Sequence, residues 1–253
     1  MIVGSIKEDL TLEKRVSLTP ETTKNIISLG LKVCIEKNYA NHIGIKDKDY
    51  ANAGAEIKDS LNEVLNSCNL LIKVNCPSDN EISNLKEKTI LIGMLNPSKN
   101  KNKINEIIKK NVHAFSLELL PRITRAQSMD VLSSQSNLAG YRAVVDSFFE
   151  FERAVPMMMT AAGTVPAAKV LVIGAGVAGL QAIATAKRLG AIVSATDVRS
   201  ASKEQVESLG GKFLTVEQSD DMETSGGYAK ETSDDYKKKQ AEMMREALKK
   251  NDI

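Results

Sequence analysis

The chain has 253 residues, of which 42% are hydrophobic and 26% are charged, a composition typical of a soluble globular protein with one or two domains. The formal net charge is +2, so neither sign dominates and no nucleic-acid surface is expected. Cys34, Cys68 and Cys76 lack the paired spacing of a zinc site or a disulfide framework, which indicates a reducing compartment and no bound metal. The apolar run at residues 1–6 is too short for a signal peptide.

The first 120 residues alternate predicted strands with predicted helices. Thr19-Pro20-Glu21 predicts a helix start, because it combines an N-cap residue, a proline at the first helical position and an acid in the first turn. The predicted strands cover residues 2–6, 31–36, 70–74, 89–93 and 112–117, and the predicted helices cover residues 20–29, 60–66, 82–87 and 104–110. This alternation predicts a parallel sheet with helices on both faces.

Residues 120–153 are dense in polar groups. Within them, residues 121–130 carry two arginines, an amide, two hydroxyls and an acid without a clear period, and a helix is predicted over residues 136–153. Judged by spacing alone, a domain linker with capping residues explains this segment slightly better than a functional site does. A crevice between two α/β domains is, however, where a nicotinamide would bind. This location strengthens the case for a functional site in residues 120–153.

The stretch from Lys169 to Asp197 predicts a strand, a glycine turn, a helix and a second strand. The apolar run at residues 169–173 leads directly into a G-x-G-x-x-G pattern, which consists of Gly174, Ala175, Gly176, Val177, Ala178 and Gly179. We expect Gly174 to make the tight turn, Gly176 to admit a pyrophosphate and Gly179 to let the helix pack on the strand. The N-terminus of that helix offers N–H groups and a positive dipole to phosphate.

Asp197 lies at the end of the second strand, 23 residues after Gly174. There its carboxylate is placed to accept hydrogen bonds from an adenosine ribose and to repel a 2′-phosphate, which favours NAD over NADP. Arg199 keeps NADP open as a minority alternative, because a guanidinium pairs with phosphate. A tightly packed βαβ unit that binds nothing would explain Gly179 but not Gly176.

The sequence therefore predicts an α/β fold with two Rossmann-like, doubly wound parallel-sheet domains, of which the second is incomplete at the C-terminus. The expected boundaries are an N-terminal domain at residues 1–134, a connecting helix and linker at 135–165, and a partial NAD(H)-binding domain at 166–253.

Seven further stretches of the sequence are informative: RITRAQSMD (122–130), LSSQSNLAGY (132–141), PMMMTAAGTV (156–165), AIATAKRLG (182–190), ATDVR (195–199), EQVESLGGKF (204–213) and GGYAKE (226–231). They closely resemble the alpha subunit of proton-translocating NAD(P) transhydrogenase. In that family, the NAD(H)-binding component is peripheral to the membrane and passes hydride to NADP on the beta subunit. The resemblance implies NAD(H) as cofactor, NADP(H) on a partner, a beta subunit and membrane domain as partners, a homodimer, and a position on the cytoplasmic face of the inner membrane.

The resemblance also implies which residues surround the nicotinamide. The matching catalytic positions are Arg122, Gln127, Asp130, Ser133 and Tyr141, and Gln127 is expected to steer the carboxamide and orient the ring. Such roles need donors and acceptors that are held in place, because hydride transfer between nicotinamides releases no proton from the reacting carbons. Proton pumping in the family belongs to membrane segments.

On the cofactor side, the resemblance adds Val198, Arg199 and Tyr228 to the glycines and Asp197. Residues 217–232 combine acids, hydroxyls and two glycines without a period, which predicts a long flexible loop. The family has a mobile loop at this place, and Tyr228 matches its tip. A helix is expected after the cap at Ser233-Asp234-Asp235 and extends to about Lys250.

Alanine dehydrogenase is the nearest relative with a different activity. Arg15 and Lys73 match that family's substrate-carboxylate and catalytic-lysine positions. The position of that family's histidine corresponds to Asn96, which cannot titrate, whereas an amino-acid dehydrogenase needs acid and base groups. His42 and His113 are expected to be surface or structural residues. We therefore interpret Lys73 as inherited scaffold and keep an amino-acid oxidoreductase as the alternative.

The main departure from the transhydrogenase pattern is the end of the sequence. After residues 251–253 the pattern calls for a fourth strand of the nucleotide-binding sheet, and without it the exposed edge favours association. We therefore expect the chain to be a fragment, a split subunit with a complementing C-terminal polypeptide, or an inactive truncated product.

Overall fold

The structure is a computed structural model that describes residues 1–216 and 234–253. It divides into two compact units, Met1–Asp130 and Val131–Ile253. The loop predicted at residues 217–232, with Tyr228 at its tip, lies outside the described residues. None of the helices in the described ranges has both the length and the apolarity needed to cross a membrane.

Unit 1 is built on a six-stranded sheet in which every pair of neighbouring strands is parallel, with the order β3-β2-β1-β4-β5-β6. The change of direction from β1 to β4 is the crossover point of a doubly wound sheet. The strands are β1 (Ile2–Ser5), β2 (Lys32–Glu36), β3 (Glu56–Lys58), β4 (Leu70–Asn75), β5 (Ile90–Met94) and β6 (His113–Ser116). The α/β class with a parallel sheet, predicted from the alternating pattern, is confirmed.

The helices of unit 1 follow the same alternation. They are α1 (Pro20–Ser28), α2 (Asp47–Asn52), α3 (Leu61–Ser67), α4 (Asp79–Asn84) and α5 (Lys101–Lys109), with 3-10 turns at Asn41–Ile43, Leu117–Leu119 and Thr124–Met129. The cap predicted at Thr19 is confirmed, since its side chain accepts a hydrogen bond from the N–H of Thr22. α2 and β3 were not predicted from the sequence, because each is too short to show a hydrophobic period.

The core of unit 1 lies on both faces of the sheet. One cluster includes Leu71, Leu91 and Ile107, and a second surrounds Tyr39 and Tyr50, whose ring centroids lie 5.7 Å apart in an edge-to-face arrangement. The Tyr39 hydroxyl accepts a hydrogen bond from the N–H of Ser17 at 2.9 Å. The two rings bury apolar surface, and the Tyr39 hydroxyl is hydrogen-bonded. The pair therefore attaches the loop after β1 to the sheet.

Unit 2 contains a three-stranded parallel sheet in the order β11-β10-β9. Its strands are β9 (Lys169–Ile173), β10 (Ile192–Thr196) and β11 (Lys212–Phe213), and its helices are α6 (Val131–Glu150), α7 (Val177–Arg188), α8 (Ser202–Ser208) and α9 (Asp234–Leu248). The outer edge of β9 pairs with the last residues of the chain, because the Leu171 N–H donates to the Ile253 carbonyl at 2.8 Å and the Ile253 N–H donates to the Lys169 carbonyl at 3.1 Å.

A separate antiparallel hairpin formed by β7 (Met158–Thr160) and β8 (Gly163–Val165) precedes this sheet. Both strands are exposed along their length, and Met159 is 76% exposed. This hairpin was not predicted from the sequence. Its methionine side chains form an apolar surface that stays exposed in the described part of the chain.

Helix α6 packs against α7 at a point of very close backbone approach. Gly140 is buried in the middle of α6, and a Cβ atom built there would lie 2.0 Å from the Ala178 carbonyl oxygen. Because that oxygen belongs to the backbone of the first turn of α7, it cannot move aside as a side chain would. Glycine at position 140 therefore fixes how closely the two helices pack.

Replacement of Gly140 by alanine should destabilise unit 2 by about 1–3 kcal/mol or more, because α6 must move away from α7. At an exposed helix position the same change would stabilise the protein by about 1 kcal/mol. Thermal unfolding followed by circular dichroism measures the difference. Asn137→Ala, an exposed position in the same helix, is the matched control, and a Gly140→Ala chain as stable as the parent would contradict the packing argument.

Candidate functional site

The glycine turn predicted after the first strand of unit 2 joins β9 to α7. Gly174 has a φ of 92°, a conformation that glycine adopts without steric cost. Its N–H donates to the Thr196 carbonyl at 2.8 Å, which connects the turn to the end of β10. Gly176 is the N-cap of α7, which starts at Val177. The turn therefore lies at the carboxyl edge of the sheet, where parallel α/β folds bind ligands.

The second and third glycines of the turn differ in what surrounds them. A Cβ atom at Gly179 would lie 1.8 Å from the Gly174 carbonyl oxygen, so packing of the turn against α7 alone requires a glycine there. A Cβ atom at Gly176 would have one neighbour within 4 Å, Nη2 of Arg199 at 3.9 Å. The protein's own packing therefore does not explain Gly176, and the space beside it admits a ligand close to the backbone.

The N-terminus of α7 has the features of an anion site. No side chain caps this helix, so the N–H groups of its first turn have no side-chain acceptor at the cap. Twelve aligned peptide units add a partial positive charge at this end. Val177 is 41% exposed, whereas Ala175 is fully buried beneath the turn. A phosphate group fits this donor set without help from a basic side chain.

Asp197 follows β10 and lies directly beside the turn. Its Oδ2 atom accepts a hydrogen bond from the Ala175 N–H at 2.7 Å and from Nη2 of Arg199 at 3.0 Å. Its Oδ1 atom accepts from the backbone N–H and from Nε of Arg199, each at 2.9 Å. The structure thus brings together the predicted residues Ala175, Asp197 and Arg199, with the half-buried Val198 between the last two.

The charge of Asp197 is stabilised within this arrangement. Burial by itself would raise the pKa of the carboxyl group, but the side-chain and backbone hydrogen bonds from Arg199 and the backbone bond from Ala175 outweigh burial and lower it. The carboxylate is therefore ionised at neutral pH and can act as an acceptor for a sugar hydroxyl.

The residues that the family resemblance assigned to the nicotinamide fall in both units. Arg122, Gln127 and Asp130 belong to unit 1, where Gln127 is in the exposed 3-10 turn Thr124–Met129 and the Asp130 N–H donates to the Gln127 carbonyl at 3.2 Å. Ser133 and Tyr141 lie on α6 of unit 2. Their assembly around one nicotinamide remains a prediction.

Gly140 is a residue of the site that sequence reasoning missed. It lets α6 approach the carbonyl of Ala178, one of the fingerprint residues, and so places Tyr141 next to the point where α6 meets the first turn of α7. Tyr141 is 51% exposed there. The signal in the sequence was a single glycine inside an otherwise helical pattern, which often marks close packing.

Comparison with known proteins places the chain in a family. Residues 4–139 match the model of the alanine dehydrogenase/PNT N-terminal domain, and residues 143–253 match that of the alanine dehydrogenase/PNT C-terminal domain. The chain belongs to the alanine dehydrogenase/PNT family. It is 51% identical over 260 residues to the first polypeptide of the NAD(P) transhydrogenase subunit alpha of Rhodospirillum rubrum, covering 100% of this chain and 68% of that protein.

Two solved structures show the same similarity. The transhydrogenase of Sinorhizobium meliloti has a TM-score of 0.82 and 50% identity, covering 85% of this chain and 64% of that one. An L-alanine dehydrogenase has a TM-score of 0.74 and 25% identity, covering 85% and 60%. The chain thus spans about two thirds of the length of the Rhodospirillum rubrum and Sinorhizobium meliloti transhydrogenase chains. The predicted resemblance to the transhydrogenase alpha subunit and the Rossmann-like fold are confirmed.

Lys73, which the sequence analysis matched to the catalytic lysine of alanine dehydrogenases, belongs to a buried ionic cluster. Lys73 is only 5% exposed on β4, and its Nζ atom lies 2.8 Å from Glu81 Oε2 and 3.6 Å from Glu8 Oε2. Burial raises the pKa of the Glu8 carboxyl group more than Lys73 and the backbone of Val74 and Asn75 lower it. The ammonium of Lys73 therefore has carboxylate partners inside unit 1.

The neighbouring family positions show the same self-contained pairing. Arg15 donates to both Glu13 oxygens, at 2.8 Å from Nε to Oε1 and 2.6 Å from Nη2 to Oε2. The backbone N–H of Asn96, the residue that the sequence analysis matched to the alanine dehydrogenase histidine, donates to the Glu118 carboxylate. In the described part of the chain, no group of three or more His, Cys, Asp or Glu side chains is arranged to hold a metal ion. Together with these pairs, the contacts of Lys73 with Glu81 and Glu8 support a structural role for Lys73.

The change Glu81→Gln should destabilise unit 1 by about 3 kcal/mol, because it removes the closest charge partner of a buried ammonium while it conserves volume. Urea unfolding of the variant and the parent measures this loss. Glu106→Gln is the matched control, because it removes an exposed partner of Lys109 and should change the free energy of unfolding by less than about 1 kcal/mol. Equal, small effects of both changes would refute the structural role of the cluster.

Proposed function

We propose that this chain binds NAD(H) at the glycine turn of unit 2 and, as part of a proton-translocating NAD(P) transhydrogenase, passes hydride between NADH and NADP held on a beta subunit. One observation carries the proposal: the open space at Gly176 adjoins both the uncapped N-terminus of α7 and the ionised Asp197. The 51% identity to a transhydrogenase alpha-subunit polypeptide across the whole chain supports this reaction.

Each part of the turn has a role in the proposed binding. The first-turn N–H groups of α7, from Val177 to Gly179, bind the pyrophosphate, and Gly176 leaves room for it. Asp197 accepts hydrogen bonds from the adenosine ribose hydroxyls, while Val198 and Arg199 flank that ribose. Tyr228 would close over the dinucleotide from the loop outside the described residues.

When bound, NADH would supply the hydride of this reaction from its reduced nicotinamide ring. The family positions Arg122, Gln127, Asp130, Ser133 and Tyr141 orient the ring, and Gln127 holds its carboxamide. Because hydride moves from a dihydropyridine to a pyridinium, no general acid or base is needed at the reacting carbons. Correct placement of the ring is then the main contribution of the protein to the rate.

The partners follow from the same family. We propose a beta subunit and a membrane domain as partners, a homodimer of this chain, and a peripheral position on the cytoplasmic face of the inner membrane, with proton translocation in the membrane domain. The exposed apolar hairpin of unit 2 supports association with other chains. We also propose, as a further partner, a complementing polypeptide that extends the sheet of unit 2 beyond the residues that pair with β9.

An alanine-dehydrogenase-like activity is the second candidate, favoured by the TM-score of 0.74 with an L-alanine dehydrogenase. The ion pairs of Lys73 and Arg15 argue against it, since both groups already have carboxylate partners. An assay of NADH oxidation with pyruvate and ammonia distinguishes the two activities. Oxidation that depends on both compounds would favour the second candidate.

Titration calorimetry with NADH tests the proposed binding directly. The parent chain should bind NADH saturably, and Asp197→Ala and Gly176→Ala should each weaken binding at least about tenfold, through loss of a charged acceptor and through filling of the pyrophosphate space. Asp146→Ala is the matched control, because it removes an aspartate of a surface Asp–Arg pair and should leave NADH affinity unchanged.

Circular dichroism of each variant confirms folding. A folded parent chain without NADH affinity would contradict the proposal and favour an inactive fragment. If binding is found, hydride transfer from NADH to an NADP analogue in the presence of the beta subunit tests the second half of the proposal, and its absence in the assembled complex would overturn that half.

A further inference from the structure

The sheet of unit 2 has a second face that α7 and α8 do not cover. Val170 and Val193 point into the core that contains Ile183 of α7 and Val206 of α8. Because side chains alternate along a strand, the residues next to these valines face the other way. The strand register places on that second face Lys169 of β9, Ile192 and Ser194 of β10, and Lys212 of β11.

Helix α9 lies over this second face and leaves a cavity of about 350 Å³ between itself and the strands. The apolar part of the cavity lining consists of Ile192, Leu214, Met243 and Ala247, and Ile192 is 53% exposed. Small-molecule sites in proteins have volumes of roughly 300–1,000 Å³ and mostly apolar walls. The cavity therefore has room for a small ligand, and an apolar group bound there would cover Ile192.

Three ammonium groups belong to the lining of the same cavity. They are those of Lys169, Lys212 and Lys250, all of which are exposed residues. Within residues 131–216 and 234–253, none of the three is a member of an ion pair. Their charge is therefore not neutralised by a carboxylate in contact with them, and it favours an anion in the cavity.

The acids beside the cavity have partners of their own. Glu246, which also lines it, pairs with Lys249, whose Nζ atom lies 2.6 Å from Glu246 Oε1. The Asp252 carboxylate accepts hydrogen bonds from Nη2 of Arg153 at 2.8 Å and from the Lys169 N–H at 2.9 Å. The lining thus combines three lysines with one glutamate that is already paired, and its charge balance is positive.

The C-terminal end of α9 does not compete for the ammonium groups through the carbonyl of Ala247. That oxygen accepts from the Lys250 N–H at 3.0 Å and from Nδ2 of Asn251 at 2.7 Å. A carbonyl oxygen has two lone pairs, so both are in use. The lysine side chains are left to interact with a ligand or with water.

The cavity lies at the end of the sheet opposite the glycine turn. Lys169, Ile192 and Lys212 are the first residues of β9, β10 and β11, whereas Gly174 follows the last residue of β9. Five residues of a parallel strand separate the two ends by about 13 Å. A ligand in the cavity and a dinucleotide at the glycine turn would therefore occupy separate places on unit 2.

We propose that this cavity binds a small organic anion with an apolar body, of the class of medium-chain carboxylates. The apolar lining covers the aliphatic part of the ligand, and the three ammonium groups attract its carboxylate. The site goes beyond the proposed binding of NAD(H) and does not depend on it.

Titration calorimetry of the full 253-residue chain with octanoate tests the proposal. Octanoate should bind saturably, with one molecule per chain. The neutral 1-octanol, which has the same chain length, and inorganic phosphate, which has no apolar body, should each bind at least about tenfold more weakly, because each lacks one of the two features that the cavity recognises.

Two variants separate the contributions of charge and volume. Lys169→Met/Lys212→Met conserves side-chain length and removes two charges, so it should weaken octanoate binding roughly tenfold without weakening that of 1-octanol. Ala247→Leu fills part of the cavity and should weaken binding of both compounds. The matched control, Lys203→Met/Lys239→Met, removes two exposed lysines that do not line the cavity and should bind octanoate as the parent does.

Circular dichroism establishes that each variant is folded, and only folded variants are compared. Selective loss of octanoate affinity in Lys169→Met/Lys212→Met, with the control unchanged, supports the proposal. A folded parent that does not bind octanoate, or that binds 1-octanol or phosphate equally well, overturns it. An equal loss in the control variant also overturns it, because net charge and not the cavity would then account for binding. NADH titration of the same samples reports on the proposed function separately.

Discussion

The candidate site depends on the parallel pairing of β9 with β10. The register places Ile173 opposite Thr196, so the residues that follow the two strands, Gly174 and Asp197, come together although they are 23 positions apart in the sequence. The hydrogen bonds from Gly174 to Thr196 and from Ala175 to Asp197 then fix the turn relative to the acid. A shift of one residue in this register would remove both bonds and turn the strands' core-facing side chains to the opposite face.

The pattern of local signals explains which parts of the fold were predictable. The start of α1 was visible because cap, proline and acid follow one another, and the strands of the parallel sheet were visible as apolar runs. α2, β3 and the exposed β7–β8 hairpin were missed. Each of these helices and strands has six residues or fewer, which is too short for hydrophobic periodicity to give a signal.

The candidate site shows a similar division between local and distant information. The three glycines and Asp197 were predicted because a dinucleotide fingerprint is a short, continuous pattern with a fixed physical role at each position. The partners of Lys73 were not predicted, since Glu8 lies 65 residues away in the sequence and only the fold brings it to the ammonium. The four hydrogen bonds on Asp197 were also invisible, because a residue's identity does not state which donors its oxygens accept.

The two units differ in how their charged and polar groups are satisfied, and this difference bears on where a ligand binds. In unit 1, Lys73 and Arg15 are matched by carboxylates at short distance, so binding a substrate acid there would first require breaking these ion pairs, at a cost of several kcal/mol for the buried one. In unit 2, the N-terminus of α7 has no side-chain cap, and glycine occupies a position where the protein's own packing does not demand it. A helix N-terminus with uncapped N–H groups and open space beside it is stabilised when a phosphate supplies the missing acceptor. Ligand binding is therefore energetically favoured at the glycine turn over the lysine cluster.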